Sequence, residues 1–154
     1  MQNNILDVLL VDDNEDDTYM LQEAFTHAPI LNVVCVVRDG EEALAYLRRN
    51  GVYKDATRPG VVLLDINMPK KNGFEVLREL KDDPQICSIP VVIFTTSERD
   101  EDVVRCYANG ACTFISKPVD IESLKKMVAQ FALYWGALAK IPGQDRYFRA
   151  AHQV

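Results

Sequence analysis

A chain of 154 residues, 48% hydrophobic and 26% charged, has the balance of one globular domain with a sizeable core. Its formal net charge of −6 argues against broad nucleic-acid binding, and the Lys70-Lys71 pair is too short for a basic patch. Two histidines, His27 and His152, exclude a histidine-rich metal site, and the apolar stretch near residues 127–139 is shorter than the ~18 residues of a membrane span.

Ile5–Val11 is apolar and β-rich except for Asp7 and runs into Asp12-Asp13-Asn14, a first strand feeding an acidic loop. From Glu15 the pattern turns helical, with Met20, Leu21, Ala24 and Phe25 at helix spacing and Pro29 closing the segment. Val33–Val37 reads as a second buried strand. Asp39-Gly40 turns the chain into a helix carrying Ala43, Leu44 and Leu47, with Arg48 and Arg49 in its last turn. After a surface loop over 50–60, Val61–Leu64 is a continuous apolar run that ends in Asp65, as a strand buried on both faces does. Pro69 and Gly73 close the next loop, and Phe74–Leu80 is helical.

Val91–Phe94 is a fourth strand ending in Thr95-Thr96-Ser97, and Ser97 is expected to cap a helix over Glu98–Ala108 that Asn109-Gly110 ends. Ala111–Ile115 is a fifth strand, followed by Ser116-Lys117-Pro118, and Asp120 caps a last helix from Ile121 through Leu124, Val128 and Phe131. Strand and helix alternate with short links, which argues an α/β fold: a doubly wound, five-stranded parallel sheet with helices on both faces. Cys35, Cys87, Cys106 and Cys112 lack C-x-x-C spacing. With no signal peptide, they read as buried thiols of a cytoplasmic protein.

In such a sheet the strand ends share one rim, which is where ligands bind. Asp12-Asp13, Asp65, Thr95 and Lys117 all fall at strand ends. A lone acid there is more simply a turn residue or a cap, but a set confined to the tips is harder to dismiss. Three crowded carboxylates repel unless a cation sits among them, and all-oxygen ligands with room for water suit Mg²⁺ better than zinc. A lysine and a hydroxyl nearby are the partners a phosphoryl oxygen needs, so Asp65 can act as a nucleophile toward phosphorus. There is no Walker A loop, G-x-S-x-G or H-E-x-x-H.

The pieces LLVDDN, LLDINMPKKNG, PVVIFTTS, NGA and ISKP stand in the order and spacing of a two-component response regulator receiver domain, which the chain resembles over about residues 5–130. The loop before the third strand, the PKKNG and FTTS wording and the aromatic last helix further resemble the single-domain regulators of phytochrome-type histidine kinases. The resemblance implies a flavodoxin-like receiver fold, with Asp65 as the phosphoacceptor. It implies Asp13 as a direct Mg²⁺ ligand, Asp12 acting through metal-bound water, and the Asn67 backbone carbonyl completing the protein ligands. Lys117 would pair with a phosphoryl oxygen, Thr95 would be the switch hydroxyl and Phe114 the switch aromatic, without the hydroxyl that many members carry as tyrosine. Thr96 stands where a smaller residue is usual and narrows the approach of water, and the Lys117–Pro118 bond is expected to be cis.

On that reading the receiver domain spans 5–132. Residues 133–154 are a helix end and tail with no output domain, and signalling goes through protein contacts. The expected partner is a histidine kinase, with a bacterial phytochrome as the narrower expectation, and the protein catalyses only its own phosphorylation and dephosphorylation. The alternative is a Mg²⁺-dependent phosphatase of haloacid dehalogenase type. Those enzymes carry a second acid two residues after the nucleophile, where this chain has Asn67, and their paired acids come last, not first. Finally, Ile121, Leu124, Val128, Phe131 and Trp135 form one apolar stripe, while Met127, Tyr134 and Leu138 form another. A helix apolar nearly all round needs a second cover, and a homodimer with Phe131, Tyr134 and Trp135 in its interface provides one.

Overall fold

Strands β1 (Leu6–Val11), β2 (Asn32–Val37), β3 (Val61–Leu64), β4 (Val91–Thr95) and β5 (Thr113–Ser116) alternate with five helices. These are α1 (Glu15–Thr26), α2 (Gly40–Arg48), α3 (Gly73–Asp82), α4 (Asp100–Ala108) and α5 (Ile121–Leu133). The computed structural model describes residues 5–142, so most of the tail expected over 133–154 lies outside the described residues. All strand pairs are parallel, in the order β2-β1-β3-β4-β5. The winding reverses between β1 and β3, which opens a crevice at their carboxyl ends.

Period-2 alternation splits the core into two layers. Leu9, Val11 and Leu64 face Leu44 of α2, Val76, Leu77 and Leu80 of α3 and Cys106 of α4. Val8, Leu10 and Leu63 face Leu21 and Phe25 of α1 and Leu124, Val128 and Phe131 of α5. The Phe25 and Phe131 rings meet edge to face, 5.9 Å apart.

Several expectations need correction. The apolar run Val33–Val37 is an edge strand, paired only with β1. Val33 is exposed and only Val37 is fully buried, because an apolar run does not reveal which strand the topology leaves outermost. Helix α4 starts two residues after Glu98, with Arg99 at the cap position making no side-chain bond. Ser97 acts beyond the cap instead: its hydroxyl donates to the Asp102 carboxylate at 2.6 Å. Strand β5 starts at Thr113, because Ala111 still bonds back to Cys106 as part of the helix end. The Lys117–Pro118 bond is trans, as is every described peptide bond, in line with the ~0.5–1 kcal/mol preference of X–Pro for trans. All four cysteines are free thiols, but only Cys106 is buried; Cys35 and Cys87 are half-buried and Cys112 is exposed.

The last helix departs from the expected pattern as well. Phe131 is only 6% exposed and belongs to the interior of the monomer, so it is not surface for a second copy. Ile121, placed on the sheet-facing stripe, is exposed, and Met127 packs partly against the core. The apolar surface left over consists of Leu133, Tyr134 and Leu138, with Trp135 half-buried against the Phe131 and Tyr134 rings. After Leu133 the helix widens over Tyr134–Leu138, closed by the Ala139 amide donating to the Tyr134 carbonyl at 2.7 Å. Gly136 lets this turn press on the α1–β2 link, since a Cβ there would lie 2.6 Å from Ile30 Cγ2.

Candidate functional site

The parallel register brings the predicted acids side by side. Val11 is paired with Leu64, so Asp12 and Asp65 each take the first position past the ladder. Their backbones are fixed there: the Asp12 amide donates to the Val37 carbonyl at 3.1 Å and the Asp65 amide to the Val11 carbonyl at 3.0 Å. Lys117 follows β5 and is tied by its own amide to the Thr95 carbonyl at 2.7 Å. From there its ammonium donates to Asp12 at 2.7 Å, to Asp17 at 2.9 Å and to Asp65 at 3.2 Å.

Asp12 and Asp65 are buried and Asp13 is exposed. One ligand oxygen from each of the three lies within 4.8 Å of the others. This hard, all-oxygen set, open to solvent on the Asp13 side, fits a divalent cation such as Mg²⁺ that keeps several waters. Burial raises the Asp12 pKa above its ordinary 3.8, only partly offset by hydrogen bonds from Lys117 and the Asn14 amide. Burial also works against the Lys117 ammonium. Its bonds to Asp12 and Asp17 and the charge of Asp65 outweigh that, and its pKa lies above the ordinary lysine value. The site therefore holds one firmly protonated cation among crowded acids, an arrangement that a second cation relieves.

The remaining predicted residues are placed as follows. Thr95 is fully buried at the end of β4, and its hydroxyl accepts the Ser97 amide at 3.5 Å without bonding to Asp65. Thr96, next in the chain, is exposed. Asn67 is exposed, and its amide donates to Asp65 Oδ1 at 3.2 Å, leaving Oδ2 for Lys117. Phe114 is half-buried on β5 against the α2–α4 layer.

Sequence reasoning missed three contributors. Asp17 stands in the first turn of α1, where an acid already has a local reason to be, so the chain carried no signal for its contact with Lys117. Tyr107 of α4 accepts the Phe114 amide at 3.2 Å, supplying a hydroxyl next to the aromatic that lacks one. Asn72 and Glu75 form a reciprocal capping box that roots α3 behind the Asp65 loop, readable as N-x-x-E.

Comparison with known proteins identifies what this geometry belongs to. The profile of the response regulator receiver domain matches residues 8–129. Response regulator Rcp1 of Synechocystis sp. (strain ATCC 27184 / PCC 6803 / Kazusa) is 36% identical over 135 residues, covering 88% of this chain and 92% of that protein. Among solved structures, the phosphorylated cyanobacterial phytochrome response regulator RcpA superposes with a TM-score of 0.85 at 39% identity, covering 90% of this chain and 99% of the other. The Mn²⁺-bound form of Rcp1 superposes with a TM-score of 0.83 at 35% identity, covering 91% and 99%. Nothing in these relationships supports the dehalogenase-type phosphatase alternative. With the acids, the lysine and the five-stranded parallel sheet arranged as described, the chain belongs to the response regulator receiver domain family.

Proposed function

We propose that this protein takes a phosphoryl group from a histidine kinase onto Asp65 and signals through protein contacts. The observation that carries the reading is the Lys117 ammonium standing 3.2 Å from Asp65 Oδ2, beside three acids whose oxygens can share one cation. In the transfer, the N–P bond of the kinase phosphohistidine breaks, an Asp65 Oδ–P bond forms, and the imidazole nitrogen takes a proton. Asp12, Asp13 and Asp65, with the Asn67 backbone carbonyl, would hold Mg²⁺, which supplies charge neutralisation of the phosphoryl oxygens. Lys117 pairs with a phosphoryl oxygen, and the Thr95 hydroxyl turns to another and draws the β4 end inward. Phe114 then repacks against the space that Thr95 leaves. Apart from this self-catalysed gain and loss of phosphate the protein is not an enzyme.

The likeness to RcpA, a cyanobacterial phytochrome response regulator, supports a phytochrome-type kinase as donor. The reading puts the protein in the cytoplasm. Among the described residues, no helix is long and apolar enough to cross a membrane. The receiver unit is assigned to 5–132 and the helix end and tail to 133–154. The exposed Leu133, Tyr134 and Leu138, flanked by Trp135, support a homodimer built on the last helix.

Acetyl phosphate with Mg²⁺ is expected to add one phosphoryl group to the protein by intact mass, and Asp65→Asn to abolish it. Equal labelling of that variant would sink the assignment. Light scattering after size exclusion tests the pairing: a monomer at tens of micromolar, phosphorylated or not, would remove the homodimer.

A further inference from the structure

The Lys117 ammonium has three N–H bonds and gives one to each of three carboxylates: Asp12, Asp17 and Asp65. Two of these acceptors belong to the cation-binding trio, and Asp17 stands outside it. A divalent ion shared by Asp12, Asp13 and Asp65 repels an ammonium bonded to two of the same carboxylates, because like charges a few Å apart in a buried site interact strongly. A phosphoryl group on Asp65 takes away that carboxylate's charge, leaving a neutral carbonyl oxygen and bringing a phosphoryl oxygen to Lys117 only once transfer is under way. Asp17 is the anion that neither event takes away.

Its setting suits an anchor. Asp17 lies in the first turn of α1, where its amide is held by the Asn14 side chain at 2.9 Å, and α1 is packed down by Leu21 and Phe25. The carboxylate is about one-third exposed and reaches inward to a lysine side chain only 9% exposed. The simpler account is an N-terminal acid that favours the helix dipole. Asp16, one position earlier and exposed, meets that description, and it makes no bond to Lys117.

We propose that Asp17 is a positioning residue that keeps the Lys117 ammonium beside Asp65 while a divalent cation and a phosphoryl group claim the other two carboxylates. The inference rests on the reading of Asp65 as acceptor. Without Asp17 the long lysine side chain is pushed toward solvent when the cation binds, and the attacking oxygen loses its charge partner.

The test follows the side-chain ammonium resonance of Lys117 in ¹⁵N-labelled protein, assigned by its loss in Lys117→Arg, without metal and with Mg²⁺. Wild type and Asp16→Ala are expected to keep the resonance on Mg²⁺ addition, whereas Asp17→Ala loses it to exchange with water. In parallel, acetyl phosphate labelling is expected to slow about tenfold in Asp17→Ala, the scale of one charge-assisted hydrogen bond. Asp17→Glu restores it to within about threefold and Asp16→Ala leaves it unchanged. A Lys117 resonance that persists with Mg²⁺ in Asp17→Ala, or labelling of that variant at the wild-type rate, overturns the proposal. Labelling of Asp65→Asn is read separately: if it matches wild type the acceptor reading itself fails, and if it vanishes the Asp17 comparison stands alone.

Discussion

Replacing Gly73 with alanine asks whether the position of Asp65 depends on α3 touching the strand tip. An ideal Cβ at Gly73 would lie 2.5 Å from the Asp65 carbonyl oxygen and 2.6 Å from Ile66 Cα, against 3.4–4 Å for ordinary contact. Both neighbours are backbone, so no side-chain rotation relieves the clash. Either the helix start or the Asp65–Ile66 segment retreats by about 1 Å, straining the Gly73 amide bond to the Ile66 carbonyl, now 2.8 Å. Overpacking of this kind costs about 1–3 kcal/mol, and a misplacement of about 1 Å at reacting atoms costs on the order of 10²-fold in rate. Urea unfolding in EDTA measures the first effect and acetyl phosphate labelling by intact mass the second. Labelling within threefold of wild type, at an unchanged urea midpoint, would refute the reasoning and mean that the loop absorbs the methyl group.

Other perturbations separate the parts of the molecule. Phe131→Ala removes a ring buried against Phe25 and is expected to cost about 3–5 kcal/mol in urea unfolding. The acidic site is untouched, so labelling at a temperature where the variant is folded should stay near wild type. Asp12 has a folded pKa above its ordinary 3.8, so the native state binds the proton more tightly than the unfolded chain. Metal-free stability should therefore fall as pH rises from about 3.8 through the higher folded value and level off above it. Asp12→Asn should remove that fall and be the more stable protein at neutral pH in EDTA, as denaturation across pH will reveal. If the exposed Thr96, next to Thr95 in the chain, narrows the approach of water, Thr96→Ala should speed loss of phosphate, followed as inorganic phosphate released from labelled protein; an unchanged rate removes Thr96 as a gate.

Much of this arrangement was legible in the chain because both of its signals are local. An apolar run that ends in an acid gives the strand and its tip together, and the parallel fold then brings all such tips to one rim. Asp12, Asp65 and Lys117 were readable on that ground. Asp17 was not, because an acid in the first helical turn has a sufficient local reason to be there, and only the long reach of Lys117 gives it a second. Edge and centre are likewise non-local. The valines over 33–37 resemble those of β4 in composition, and only the strand order distinguishes them. Phe131 misled for the opposite reason: an aromatic on an apolar helix suits an interface and a core equally, and the ring of Phe25 decides between them.

Lys117 reaches across 105 positions to Asp12 and 52 to Asp65. No hairpin or single helical unit contains even two of the three tips, so no early local structure can present the site. β1, β3 and β5 must all be in register first, and pairings of such sequence separation come late because loop-closure entropy opposes them until the sheet is complete. The ability to take phosphate is thus a report on finished folding: in a refolding experiment it should return with the slowest native probe, well after helical signal recovers. A chain caught half-assembled would be silent to its kinase, so a misfolded or nascent copy would send no message.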